Sequence, residues 1–273
     1  MGDTAEDTYT HGHHPSVVAQ HRRRTAEEAA AFLIPRLRPG MRVLDAGCGP
    51  GTITTGLARI VAPGEVIGID AAEAVLDDAR AHARRSGVQN VRFERANVYE
   101  LPYDDATFDA AFAHQVLQHL SRPVDALREM KRVLRPGGLA GVRDSDYGTM
   151  TWWPRSPGIA RWLEVYHAVA ERNGADADAG RRIPAWLRAA GFDDIEITTS
   201  TWAYIGAEQV RDWGESWASR ITESALAEQA VAYGIATPAE LASIAEAWRT
   251  WTHEPDAFFT FIHVAGVGVK RPV

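Results

Sequence analysis

The stretch Val43–Thr52, which reads VLDAGCGPGT, constrains the fold more than any other. It has the form of a buried strand that runs into a glycine-rich turn and then opens a helix. Val43 and Leu44 follow Met41 in an apolar run bounded by Gly40 and the turn. Gly47, Gly49 and Gly51 are free to take positive φ, and they leave no Cβ between the backbone and an approaching molecule. From Thr52 onward, Ile53, Leu57 and Ile60 or Val61 share one face at helical spacing. The N-terminus of that helix points its free amides at whatever occupies the turn.

Spacing narrows the choice of ligand. A dinucleotide turn needs G-x-G-x-x-G after a strand. Here the glycines run G-x-G-x-G, and Thr52 stands where the third should fall. Asp45, just before the glycines, repels a pyrophosphate but suits a ligand that carries an ammonium and a sulfonium. These two residues disfavour a nicotinamide oxidoreductase. Downstream, Val66–Asp70 reads as a second strand ending in an acid, placed to take a ribose diol.

At these residues the chain resembles the class I S-adenosylmethionine (SAM) dependent methyltransferases. VLDAGCGPGT is similar to their first motif and VIGID to their second. Residues 101–120 (LPYDDATFDAAFAHQVLQHL) and 132–142 (RVLRPGGLAGV) resemble later blocks of the ubiquinone/menaquinone-biosynthesis subgroup. The resemblance covers roughly residues 25–145. It implies an α/β fold, a Rossmann-like seven-stranded doubly wound sheet with an antiparallel last strand. It also implies an N-terminal helical lid over residues 1–37 and a SAM-binding domain over 38–273. That domain would include a helical insertion before the last strand, with cap elements at about 148–180 and 207–254. SAM is the implied donor, S-adenosylhomocysteine the product, and no metal is expected. The implied cofactor contacts are Asp45, Gly47, Cys48, Gly49, Gly51, Thr52, Asp70, Ala71 and His114, with Asn97 and Val98 beside the adenine. Asn97 departs from the usual aspartate, but its amide still accepts a hydrogen bond.

The rest of the composition limits partners. A net charge of −7 over 273 residues argues against a nucleic-acid partner, which asks for a basic face. Arg22-Arg23-Arg24 reads as a solvated run. The single cysteine, Cys48, rules out an intrachain disulfide and fits a reducing cytoplasm; it reads as packing, not as a nucleophile. No signal peptide or membrane-spanning run is apparent. Seven of the nine tryptophans lie between residues 150 and 220 and none in the first 150, so an aromatic-rich half follows the cofactor half. That half favours a small acceptor with an aromatic or apolar body. A monomer or homodimer is expected.

Within the N-terminal segment, Thr25–Glu28 forms a T-x-x-E capping box that predicts a helix over Ala29–Leu33, stopped by Pro35. A preceding short helix is predicted from Pro15 through Val17 and Val18 to His21. Tyr9, His14 and His21 are candidate lid or substrate contacts, as is Trp152. The histidines of this segment fit lid contacts or a solvated tail; no ligand set completes a metal site. Alternating strand and helix signals then give strands at 91–96, 108–113 and 139–142, and later at 195–204 and 258–269. His114 falls at the carboxyl edge of the fourth strand, where open α/β sheets bind ligands. His119 is either a proton acceptor or a structural histidine. Residues 143–147 read as the end of the fifth strand, so Asp144 and Tyr147 either address an acceptor or form a polar turn.

Methyl transfer from a sulfonium is an in-line displacement that needs alignment and exclusion of water. A base is needed only where the nucleophile must lose a proton. His114 and His119, with Asp144 or Tyr147 opposite, are the candidates. The functions that follow are methylation of a small molecule at O, N or C, methylation of RNA or protein, and a non-catalytic SAM-fold protein. Intact Asp45, Gly47, Gly49 and Asp70 argue against the last.

Overall fold

Val43 and Leu44 are neighbours on a strand, so their side chains leave on opposite faces and each needs its own apolar layer. A computed structural model, which describes residues 7–10 and 21–272, provides both layers. The strands are β1 (Val43–Ala46), β2 (Val66–Asp70), β3 (Val91–Arg95), β4 (Phe108–His114), β5 (Leu134–Trp153), β6 (Asp193–Ile205) and β7 (Phe258–Val269). They form one sheet in the order β3-β2-β1-β4-β5-β7-β6. β1 to β5 pair in parallel, while β7 runs antiparallel to both β5 and β6. The order changes direction at β1, whose two neighbours are β2 and β4. Carboxyl ends of strands at such a point form a ligand crevice.

The helices are α1 (Ala26–Ala29), α2 (Thr52–Val61), α3 (Glu73–Arg85), α4 (Pro123–Val133), α5 (Pro157–Arg172), α6 (Ala179–Ala189), α7 (Ala207–Glu223), α8 (Ala225–Ala232) and α9 (Pro238–Thr252). Val43 packs with Ile53, Leu57 and Val61 of α2 and with the Ala26–Leu37 segment. Leu44 packs on the other side with Leu127 and Met130 of α4 and Ile183 and Leu187 of α6.

Two expectations are corrected. The helix over Ala29–Leu33 forms earlier, at Ala26–Ala29. Thr25 caps it, its Oγ1 accepting from Glu28 N–H at 3.3 Å, and a 3₁₀ turn at Ile34–Arg36 absorbs Pro35. The earlier helix, with His11, His13 and His14, lies outside the described residues apart from His21. The fifth strand does not end at Val142. It continues through Arg143–Tyr147 to Trp153, paired with β7. Its polar residues look like a turn in sequence, yet each finds a partner across an interface. Arg143 Nη2 donates to Ser200 Oγ at 2.9 Å, and Gln118 N–H donates to Asp144 Oδ1 at 3.2 Å. Ser145 Oγ donates to Gln118 Oε1 at 2.6 Å, and Asp146 takes a bidentate pair from Arg181 at 2.6 and 2.7 Å.

The long β5–β7 ribbon carries a second core. Trp162, Trp217 and Trp248, on helices that read in sequence as core or as pocket lining, are core, fully buried among α5, α7, α9 and Phe259. Ring centroids lie 4.3 Å apart for Trp162–Trp217 and 5.1 Å for Trp162–Trp248, both edge to face. Among the described residues, no helix is long and apolar enough to cross a membrane.

Candidate active site

The turn after β1 is where backbone geometry first opens space. Gly47 sits at φ +72°, and a Cβ there would come within 2.4 Å of Val116 Cγ2. Gly49 sits at φ +53° with nothing within 4 Å of the Cβ position, so its backbone is open to a ligand. Gly51 caps α2 from φ +78°, and its Cβ position is closed by Ala79 and Phe93, so it serves packing and not the cavity wall.

A cavity of about 680 Å³ opens on this turn. Asp45, Gly47, Cys48, Gly49 and Thr52 line it at one place. Asp70 lines it from the end of β2, with Ala71 beside it. The Asp70 carboxylate is fixed by two amides, Gly49 N–H on Oδ2 and Ala72 N–H on Oδ1, each at 3.1 Å. Asp45 accepts from Thr54 Oγ1 at 2.7 Å. Burial, more than the neighbouring Asp70 charge, pushes its acid up to about 7. Burial also pushes the Cys48 thiol well above its ordinary range, which keeps it protonated and unreactive. Asn97 and Val98 line the wall beyond β3, where Asn97 Oδ1 accepts from Tyr99 N–H at 3.0 Å.

His114 and His119 line the far end. His114 is buried and neither ring nitrogen has a hydrogen-bond partner among the described residues. Burial, aided by Arg24 and Arg143, holds it well below the usual imidazole range. His119 packs edge to face on Tyr9 at 4.7 Å and lies 2.9 Å from Gln118 Nε2. Burial and Arg24 press its pKa down to about 3. Both imidazoles are therefore neutral at physiological pH. Tyr9 and His21 line the cavity too, and the His21 carbonyl accepts from Thr52 Oγ1 at 3.3 Å. His14 lies outside the described residues.

Asp144, Tyr147 and Trp152 do not line the cavity. Asp144 is buried under the backbone of residues 116–118, and burial pushes it up to about 8. Tyr147 stacks on Tyr166 at 4.2 Å in the aromatic core, and Trp152 stacks on Phe259 at 6.2 Å. All three sit on β5, whose continuation past residue 142 carries Asp144 beneath residues 116–118 and Tyr147 and Trp152 to the second core. None of the nine tryptophans lines the cavity.

Sequence reasoning missed Arg24, Gln115 and His263. Arg24 lines the cavity, although it was read within a solvated run. Gln115 takes φ +55°, a left-handed turn that costs a non-glycine residue about 1 kcal/mol, and its Nε2 meets His263 Nε2 at 2.8 Å. His263 was legible as the one histidine in the apolar run Phe258–Val269. Among the described residues, no cluster of three or more His, Cys, Asp or Glu is arranged to hold a metal ion.

This sheet order, an acid-and-glycine turn after β1 and an acid at the end of β2 define a class I SAM-dependent methyltransferase. The match to a methyltransferase-domain family over residues 37–191 agrees, and the chain belongs to that family. It is 31% identical over 261 residues to a methyltransferase of Schizosaccharomyces pombe, with 92% of each chain covered. A ubiquinone/menaquinone biosynthesis C-methyltransferase of Idiomarina loihiensis is 42% identical over 180 residues, covering 60% of this chain and 71% of that one. Among solved structures, the YcgJ protein of Bacillus subtilis shares the fold at a TM-score of 0.60 and 19% identity, over 90% of this chain and 100% of that one. The residues on the cavity wall suit SAM. A carboxylate is available for a diol, a side-chain amide for a base, and an open glycine turn for the amino-acid tail.

Proposed function

We propose that the chain moves the methyl group of SAM onto an oxygen, nitrogen or carbon nucleophile of a small acceptor with an aromatic or apolar body. The observation that carries this reading is a single cavity that joins the glycine turn, the anchored carboxylate of Asp70 and two neutral imidazoles, His114 and His119. Bound SAM supplies a methyl carbon already activated by the sulfonium. Asp70 takes the ribose diol, held rigid by its two amides. Asn97 keeps a second lone pair for the adenine amino group, and Val98 packs on the base. Asp45 faces the cationic part of the donor, and the 47–52 turn seats its tail.

At the other end, His114 accepts a proton as methylation makes the nucleophile acidic. Its low basicity means that it acts in the transition state and does not ionise the acceptor beforehand. His119, braced by Gln118 and Tyr9, orients the acceptor. Tyr9 and His21, ahead of α1, cover the cavity and exclude water.

Calorimetry and a labelled-methyl assay on a panel of phenols, amines and carboxylic acids test this reading. SAM and S-adenosylhomocysteine should bind and NAD should not. His114→Asn should lower turnover by about 10²-fold or more for acceptors that lose a proton, and spare carboxylate acceptors. Deleting residues 1–24 should keep the fold and remove most turnover. Unaltered turnover in that truncation would take the segment out of the mechanism.

A further inference from the structure

The sheet has two edges, and the sequence treats them differently. β3 is short, Val91–Arg95, and Arg92, Glu94 and Arg95 put charge on it. β6 lies at the other edge and, among the described residues, pairs with β7 alone. Its stretch Ile197–Ile205, ITTSTWAYI, has no charge and no proline. The register with β7 runs unbroken from Glu196 against Val267 to Ile205 against Phe258, so no bulge turns this edge away. Charge, proline, bulges and a covering element are the devices that keep an edge from pairing. The stretch has none of the first three, and residues 197–201, Ala203 and Ile205 are exposed.

Amide directions alternate along an antiparallel strand. Ile205 N–H donates to Gln209 Oε1 at 3.2 Å, outside the ladder, so the odd-numbered residues aim their amides and carbonyls away from β7. Ile262 N–H agrees. It donates to Thr149 Oγ1 on the β5 side at 2.9 Å, which leaves its neighbour Phe261 to pair with Trp202. Ile197, Thr199, Thr201 and Ala203 therefore present an open row of donors and acceptors. Among the described residues six large hydrophobic side chains are exposed, and four of them, Trp153, Ile197, Ile205 and Ile262, lie on this ribbon. Trp153 and Ile205 flank Phe258, and Ile262 lies beside Thr201.

The chemistry of the row selects its partner. A strand that pairs antiparallel with its own copy does so about a two-fold axis. An axis at Thr201 makes that residue its own partner, sets Thr199 against Ala203 and sets Ile197 against Ile205. All of these residues point outward, so open amides meet open carbonyls and each exposed isoleucine meets the other. The acids Asp193, Asp194 and Glu196 then lie at opposite ends of the pair, whereas a parallel arrangement brings like charges together. Both edges are consumed, so assembly stops at two copies.

We propose that β6 joins β6 of a second copy of this chain, antiparallel about an axis at Thr201, so that one sheet runs through both copies.

Sedimentation velocity on the full chain tests this first. The wild type should form a dimer that dissociates on dilution through the micromolar range. Thr201→Pro deletes an amide that the β7 ladder does not use, and Thr201→Lys sets two like charges on the axis. Each should raise the dimer dissociation constant about ten-fold or more. In dilute solution, where wild type and variants are all monomeric, the melting curve of Thr201→Lys should match that of the wild type. Crosslinking reads the register, because the only native cysteine, Cys48, is buried. Thr201→Cys should give a disulfide-linked dimer under mild oxidation, since directly paired Cα atoms lie about 5.5 Å apart. Thr199→Cys should not, because the two copies of that position stand roughly 13 Å apart along the strands. A wild type that stays monomeric up to roughly 0.1 mM overturns the proposal. So does a dimer that both Thr201→Pro and Thr201→Lys leave intact, or one that crosslinks through Thr199→Cys and not through Thr201→Cys.

Discussion

The two halves of this molecule solve different problems with different materials. Around the β1 turn the working parts are backbone amides, small residues and two carboxylates. The decisive contacts are directional and short, such as the two amides on Asp70 at 3.1 Å. Beyond residue 147 the working parts are rings. Trp217, Trp248 and Phe259 each meet Trp162 edge to face in an aromatic core. One half lines the cavity, and the other supplies rigid burial along β5 and β7. The comparison predicts that stability and donor affinity separate by mutation. Trp162→Ala should cost ~3–5 kcal/mol of unfolding free energy, read by urea titration. The folded fraction should still bind S-adenosylhomocysteine with unchanged affinity. Loss of that affinity in folded protein would mean that the halves are not independent.

The reverse case is Asp70→Ala. It removes the acceptor of two amides and the proposed ribose contact together. Hydrogen bonds to a charged group are worth roughly 1.5–3 kcal/mol, so affinity for S-adenosylhomocysteine should fall about ten- to a hundred-fold. The urea midpoint should move much less than in Trp162→Ala. Unchanged affinity would remove Asp70 from the ribose assignment.

Legibility in the sequence follows the same division. The glycine turn was readable because its contacts are local: positive φ at Gly47 and Gly49, and a strand-end acid about one crossover later. The succession of strands along the chain followed from alternation, and β7 was placed at Phe258–Val269 because an apolar run of that length with small residues has few other uses. The continuation of β5 was not readable. Arg143-Asp144-Ser145-Asp146 has the composition of a turn, and its partners Ser200, Gln118 and Arg181 come from three distant segments. His114 was readable from its place at a strand end, but its surroundings were not. Arg24, Trp202 and His263 are brought near it by pairing that no local spacing encodes.

Two buried acids sharpen the contrast between binding and structure. Asp144 has a folded pKa of about 8, raised by burial, against an unfolded value near 4. Its stabilising contribution is therefore full below about pH 4 and is lost as pH rises toward 8. Asp144→Asn does not titrate, so the variant should gain on the wild type with rising pH, by on the order of 1 kcal/mol or more at pH 9. Unfolding titrations at pH 5 and pH 9 check this, and equal differences at both would refute it. Asp45, at about 7, lies on the cavity wall and should instead respond to ligand. A bound cation favours its ionised form, so SAM binding at pH 6 should release a proton, seen in calorimetry as a heat that depends on the buffer. Asp45→Asn should abolish that dependence.

The smallest effects belong to the contacts that join the halves through the 21–24 segment. Arg22 reaches Asp78 on α3, in the donor half, and Arg23 reaches Asp212 on α7, in the aromatic half. Both pairs are short, yet Arg22 and Arg23 keep 53% and 71% of their side-chain surface exposed. Exposed pairs gain little over their separately solvated ions. Arg22→Ala and Arg23→Ala should each cost less than about 1 kcal/mol. Even that should vanish in 1 M salt, where the screening length falls to about 3 Å. Urea midpoints at low and high salt decide the matter. A larger, salt-resistant loss at Arg23 would place real stability in the link to the aromatic half, and the Arg24 guanidinium would then owe its position to that clasp and not to the cavity wall.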